Sequence, residues 1–190
     1  MREMHEIIWH GRGGQGVVLV AQILAESAYI QGFKGVTSAP TFGPERRGAP
    51  LTASTRISNE PVRTFSQIAS ADIAVILDES LLKAATEAGR IKERGLVIVN
   101  TTLKPEQIDT DGSFSVATVD AVGIAWEHHL SMSGVPVVNT PLLGALCMVS
   151  ELVSLENIEK GMRKKMPPGR ASLNFQAVKT AFEKTVYSKN

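Results

Sequence analysis

Six residues near the start, Gly11-Arg12-Gly13-Gly14-Gln15-Gly16, constrain this chain more than any other stretch. They join an apolar run, Ile7-Ile8-Trp9, to Val17-Val18-Leu19-Val20, where apolar residues begin to recur at helical spacing. The order is strand, glycine turn, helix. Bare backbone in such a turn lets a ligand come close, and the first amides of the helix, carrying about half a positive charge, point into the same space. The expected guest is an anion, a phosphate or pyrophosphate. The spacing satisfies G-x-G-x-x-G, a pattern that also serves tight packing of a helix on a strand. Its position directly after a candidate first strand favours the binding reading.

A nicotinamide site also wants an acidic residue near the end of the second strand, to hold the ribose hydroxyls. Here that stretch reads Phe33-Lys34-Gly35-Val36-Thr37-Ser38-Ala39-Pro40 and contains no carboxylate. Asp78 comes much too late and reads as a helix N-cap before Glu79. NAD is therefore discounted. An NADP site built on Lys34, Arg46 and Arg47 stays open, as does a different phosphate-bearing ligand or a partner chain.

Further along, the helix that starts near Gly16 stops at Gly32, and Lys34 to Ser38 reads as a second strand. Residues 41–50 are rich in turn formers and charge and should form an exposed loop. Leu51 to Ile57 alternates like a strand, with Val62 to Phe65 as a short partner after the turn at Asn59-Glu60-Pro61. Asp72 to Leu77, Glu79 to Ile91 and Leu96 to Asn100 read as strand, helix and strand, a βαβ crossover. Another strand is expected at Phe114 to Val119, then a helix capped by Asp120 and running to Leu130, and a short last strand at Val135 to Val138. Helices are expected from Asn139 to Leu152, Leu155 to Lys165 and Ala171 to Tyr187, with Pro167-Pro168-Gly169 as a break. The alternation predicts one α/β domain over residues 1–190: a Rossmann-like, mostly parallel sheet with helices on both faces and a helical carboxyl-terminal portion.

At 190 residues such a domain buries roughly 70% of the surface its unfolded chain exposes. A net charge of +1 from 20 basic and 19 acidic residues gives no bulk field for nucleic acid. The charged start, Met1 to Glu6, lacks a signal-peptide pattern, and the longest apolar stretch, Leu142 to Val149, falls far short of the roughly 20 residues of a membrane helix. The expectation is a cytoplasmic protein with neither nucleic-acid nor membrane partners. Cys147 is the only cysteine, which excludes an internal disulfide and an iron–sulfur cluster held by four thiolates of this chain. It reads as a buried small hydrophobe. His128 and His129 are adjacent and point about 100° apart on a helix, so they do not make a metal pair. His10 stands beside the glycine turn, where it either touches a ligand or packs. Arg163, Lys164 and Lys165 read as cations at a helix carboxyl end, complementing its dipole.

Taken together, Gly11 to Gly16 and the run Phe42-Gly43-Pro44-Glu45-Arg46-Arg47-Gly48-Ala49-Pro50 resemble the gamma subunit of 2-oxoacid:ferredoxin oxidoreductases. Ala71-Asp72 through Leu77-Asp78, Asn139-Thr140 with Leu142 to Ala145, and the charged helix before Met166-Pro167 extend the likeness over most of the chain. Arg47-Gly48-Ala49-Pro50 favours the pyruvate and 2-ketoisovalerate branch.

The resemblance implies a multi-subunit enzyme that oxidatively decarboxylates a 2-oxoacid with coenzyme A and delivers electrons to ferredoxin. Thiamine diphosphate, its magnesium and the iron–sulfur clusters are then expected on companion alpha, beta and delta-type subunits. This chain would supply no catalytic acid or base and no metal ligand. It would help to bind coenzyme A: Gly11, Gly13, Gly14, Gln15 and Gly16 on the pyrophosphate side, and Arg12, Lys34, Arg46 and Arg47 as candidate cations. Docking of a companion subunit suits Arg46 and Arg47 equally well. The alternatives are the beta subunit of indolepyruvate:ferredoxin oxidoreductase, an NADP-dependent reductase, and a structural bridge with an empty loop.

Overall fold

The alternation of side chains along the first strand divides the molecule into two layers. Ile7 and Trp9 point to one face and are fully buried, while Ile8 and His10 point to the other. The computed structural model of the chain describes residues 4–40, 47–64, 66–87, 89–110 and 114–188.

In chain order the elements are β1 (Met4–Arg12), α1 (Val17–Gln31), β2 (Gly35–Pro40), β3 (Pro50–Ser58), β4 (Ala71–Ile76), α2 (Leu82–Ala85), β5 (Ile91–Asn100), β6 (Ser115–Val119), α3 (Ala121–Glu127), β7 (Ser131–Met132), β8 (Val135–Pro136), α4 (Asn139–Ser150), α5 (Leu155–Lys165), α6 (Pro168–Lys184) and β9 (Val186–Ser188). The main sheet has the order β2-β3-β1-β4-β5-β6-β9. Neighbours from β1 through β4 and β5 to β6 are parallel, whereas β3 runs antiparallel to both β1 and β2, and β9 antiparallel to β6. The expected α/β fold with mostly parallel strands is what forms.

Helices lie on both faces, but unequally. The larger core joins Ile7, Trp9, Val75 and Ile98 of the sheet to α1, α3, α4, α5 and α6. The smaller one gathers Ala74, Ile76, Val97 and Val99 under the short α2 and the turn before it. Beyond that cover, the second face carries charge: Glu6 accepts from Arg56 at 3.1 Å and from Lys92 at 3.0 Å, and Lys92 also reaches Asp72 at 2.9 Å. Burial pulls the Lys92 ammonium down, yet the Asp72 and Glu6 carboxylates outweigh it and hold its pKa above the ordinary lysine value.

The structure corrects several expected elements. Glu79 to Ile91 is not one helix: a 3-10 turn over Glu79–Leu81 and the single turn of α2 are followed by β5, which takes in Ile91. The apolar residues that suggested a long helix are divided between α2 and an extended strand, because Ala71 pairs with Ile91 and draws the chain into the sheet. Val62, Arg63 and Thr64 form no strand, and Phe65 lies outside the described residues. Strand β3 already has β1 on one side and β2 on the other, so it offers no free edge. The stretch Val135 to Val138 contributes only Val135–Pro136, which pairs with Ser131–Met132 through the positive-φ turn Ser133-Gly134 and stays out of the main sheet. The final helix starts earlier, at Pro168, and ends at Lys184, where Val186–Ser188 turns into the edge strand β9.

Candidate functional site

β1, β4, β5 and β6 run the same way, so the glycine loop, Leu77-Asp78, Asn100-Thr101 and Val119-Asp120 all lie at one edge of the sheet. From β1 the chain passes through α1 to β2 on one side, and β4 leads to β5 on the other, so the direction of winding reverses between β1 and β4. In open α/β sheets this reversal is where a ligand crevice forms.

The glycines of the loop do different work. A Cβ on Gly11 would lie 2.6 Å from Val17 Cγ2, so this glycine lets strand and helix pack closely. Gly16 is left-handed, at φ 75°, and a Cβ there would overlap the Asn139 amide, whose Nδ2 donates to the Gly16 carbonyl at 3.1 Å. Gly14 has φ 95°, and among the described residues the nearest atom to a Cβ there is Arg47 Cγ, at 3.9 Å.

The amides divide in the same manner. Arg12 N–H donates to Gln15 Oε1 at 2.7 Å, Gly13 N–H to the Ala49 carbonyl at 2.9 Å and Gln15 N–H to the Arg12 carbonyl at 3.0 Å. Those of Gly14, Gly16, Val17 and Val18 have no hydrogen-bond acceptor among the described residues. Gly16 caps α1 without a side-chain bond, and no acidic residue stands in the first turn. The segment Arg47-Gly48-Ala49 lies against the loop, since Gly48 N–H donates to the Gly13 carbonyl at 3.0 Å and Gly13 bridges to Arg47.

Three helices begin near this point. Asn139 and Thr140 open α4, and while Asn139 reaches Gly16, Thr140 Oγ1 donates to Asn174 Oδ1 at 2.7 Å. Asn174 Nδ2 in turn donates to the Arg170 carbonyl in the first turn of α6, at 2.9 Å. The first turns of α1, α4 and α6 are thereby stitched together, and their partial positive charges face the same edge. Arg170 is exposed there.

The candidate cations are placed unequally. Arg47 is exposed and flanks Gly14. Arg12 turns its guanidinium inward, to Asp78 Oδ2 at 2.7 Å, Ser80 Oγ at 2.8 Å and the Gly48 carbonyl at 3.0 Å. Burial raises the pKa of the Asp78 carboxyl, but hydrogen bonds from Ser80 and Arg12 prevail and bring it below its ordinary value. Asp78 also accepts from Ser80 N–H, the capping role expected of it. Lys34 is remote, because β2 starts beside Ser58, the partner of Met4, about 25–30 Å along the strands from the loop. Arg46 lies outside the described residues.

The sequence reading gave no binding role to Asn139 or Asn100. Asn100 Nδ2 donates to the Leu77 carbonyl at 2.9 Å and its Oδ1 accepts from Ala121 N–H at 3.0 Å, tying the ends of β4 and β5 to α3. Asn-Thr-Pro at 139–141 was legible only as a helix start. A cleft of about 430 Å³ opens along the same edge, lined by Thr101, Lys104, Thr118, Asp120 and Lys184 among others, and by none of the predicted site residues.

His10 packs rather than binds. It is 8% exposed, and burial, with the Arg90 charge adding to it, lowers its pKa to about 4. A depressed histidine pKa means stability that is complete above pH 6.5 and is lost as pH falls through 4. We expect a loss of about 3 kcal/mol over that window, read as a falling denaturant midpoint. His10→Gln should flatten this part of the profile, and an unchanged slope in that variant would assign the acid sensitivity elsewhere. Cys147 is buried, and burial pushes its thiol up to about 12, so it is no nucleophile at neutral pH.

The fold and this edge define an α/β chain with a glycine turn open to an anion at the winding reversal, and comparison with known proteins gives its family. Residues 6–184 match the family model for pyruvate ferredoxin/flavodoxin oxidoreductase, and the chain belongs to that family. It is 43% identical over 185 residues to the pyruvate/ketoisovalerate oxidoreductases common subunit gamma of Pyrococcus furiosus, covering 96% of this chain and 97% of that one. It is 40% identical over 185 residues to pyruvate synthase subunit PorC of Methanothermobacter marburgensis, covering 97% of this chain and 99% of the relative. The crystal structure of pyruvate oxidoreductase subunit PORC from Thermotoga maritima superimposes with a TM-score of 0.83 at 34% identity, over 99% of this chain and all of that one (100%).

Proposed function

We propose that this chain is the gamma-type subunit of a multi-subunit pyruvate or 2-ketoisovalerate:ferredoxin oxidoreductase, and that its own task is to hold coenzyme A and bridge the catalytic subunits. The family and the names of its relatives support the first part. Alpha, beta and delta-type companions carry thiamine diphosphate, magnesium and the iron–sulfur clusters, in keeping with the lone, buried Cys147 of this chain. The complex works in the cytoplasm with ferredoxin as acceptor. Among the described residues no helix is long and apolar enough to cross a membrane.

The observation that carries the second part is the open stretch at Gly14. Among the described residues, unengaged amides at Gly14, Gly16, Val17 and Val18, a first turn of α1 without acidic residues and the neighbouring Arg47 fit a diphosphate. Coenzyme A supplies the thiol that accepts the acyl group. The residues of this chain bind and orient, an effect that works through proximity and needs no acid or base here.

The test uses the assembled oxidoreductase and compares Gly14→Asp with Gly14→Asn. The two side chains are nearly isosteric and both tolerate positive φ, so they differ chiefly by a charge in front of the amides. The aspartate should raise KM for coenzyme A at least about tenfold over the asparagine, about 1.4 kcal/mol of binding. Reduction of a dye by 2-oxoacid without coenzyme A should be the same in both. Equal loss in the two assays would leave the loop a purely structural part.

A further inference from the structure

We infer that Arg12 is a positioning residue, which locks the Arg47–Ala49 segment onto the glycine loop and closes the crevice between the ends of β1 and β4. The inference rests on the reading of the loop as the seat of coenzyme A, and it changes where on the loop the phosphates go.

The guanidinium joins three stretches distant in sequence. Nε donates to Asp78 just after β4, Nη2 to Ser80 in the following turn, and Nη1 to the Gly48 carbonyl in the lead-in to β3. Its charge is balanced by Asp78, which Ser80 N–H holds in place at 3.1 Å. Two backbone bonds complete the closure, Gly13 N–H to Ala49 and Gly48 N–H to Gly13. A ligand that entered at the winding reversal would have to displace this pair and separate the two loops. The half-buried side chain that sequence spacing marks as a phosphate partner is thus already engaged by other groups of the protein. Phosphate recognition moves outward, to the amides of Gly14, Gly16, Val17 and Val18 and to Arg47, which flanks Gly14.

Only a planar fork suits the arrangement. Three acceptors lie in three directions, and a lysine ammonium at the end of a flexible stem cannot meet them together. Asp78 is equally needed, because without it the Arg12 charge sits partly buried beside carbonyl and hydroxyl groups alone.

The experiment measures backbone hydrogen exchange and steady-state kinetics on the assembled oxidoreductase carrying Arg12→Met, Arg12→Lys or Asp78→Asn. Exchange of the Gly13 and Gly48 amides should quicken about tenfold or more in Arg12→Met and Asp78→Asn. KM for coenzyme A should rise about tenfold in both while KM for the 2-oxoacid stays within about twofold, and Arg12→Lys should fall between. Unchanged exchange in both variants overturns the clamp. So does a coenzyme A defect confined to Arg12→Met, because that pattern marks direct contact with the ligand. Faster exchange with an unmoved KM for coenzyme A upholds the clamp and removes coenzyme A from the loop instead.

Discussion

Gly144→Val is expected to cost this chain more stability than a typical single substitution does, and to lower its melting temperature accordingly. Gly144 lies on α4 where α6 crosses closest: a Cβ would overlap the Val178 carbonyl oxygen and come within 2.9 Å of the Phe182 nitrogen. These are backbone atoms inside a helix, and they cannot rotate aside. Thr140 meets Asn174 one turn earlier, so the two helices run parallel and a branched side chain would have to part them along their length. Forced overpacking costs about 1–3 kcal/mol and occasionally more, and here the obstruction is rigid, so we place the cost near the upper end. For a chain of this size that lowers Tm by roughly 6–12 °C. Thermal unfolding followed by circular dichroism reads the change directly. A Gly144→Val chain that melts with the wild type would show that the close approach of α4 and α6 is not needed.

The second large effect is expected from Trp9→Ala. Trp9 is fully buried on the α1 side of β1, its Nε1 donates to Thr55 Oγ1 at 3.2 Å, and Thr55 Oγ1 donates to the Ala21 carbonyl at 3.2 Å. Strand, neighbouring strand and helix are thus joined through one indole. Truncation removes the largest fully buried side chain and opens a cavity, at about 3–5 kcal/mol. Trp9→Phe keeps most of the volume and deprives Thr55 of its donor, so its cost should be nearer 1–2 kcal/mol. Denaturant titration separates the two, and near-equal losses would mean that the hydrogen bond, not the volume, holds this junction. Trp9 stands two residues before Gly11, so the alanine variant should also loosen the glycine loop.

The two motifs that carry the functional reading were legible for different reasons. Gly11 to Gly16 announces itself because a strand, a glycine turn and a helix follow one another within a few residues, so the geometry is local. The Arg47 to Pro50 segment was recognisable as an exposed loop, yet nothing in its order showed that it bonds Gly13 backbone to backbone. The equal standing that the sequence suggested for Arg12 and Arg47 dissolved for the same reason. One meets Asp78, 66 residues away, and the other stays at the surface. Lys34 shows the converse, since proximity in sequence to the loop placed it at the far end of the sheet.

By itself the sequence determined the α/β class, most helix and strand positions, the capping roles of Asp78 and Asp120 and the burial of Cys147, because periodicity, capping and hydrophobicity act within a few residues. Only the tertiary structure decided that β3 has no edge left for a strand at 62–64, that Ile91 belongs to a sheet and not to a helix, that α1, α4 and α6 start side by side, and that Arg12 faces inward. Each of those outcomes depends on groups separated by tens of residues competing for the same edge, the same carboxylate or the same space, and such competition is settled only when the chain has folded.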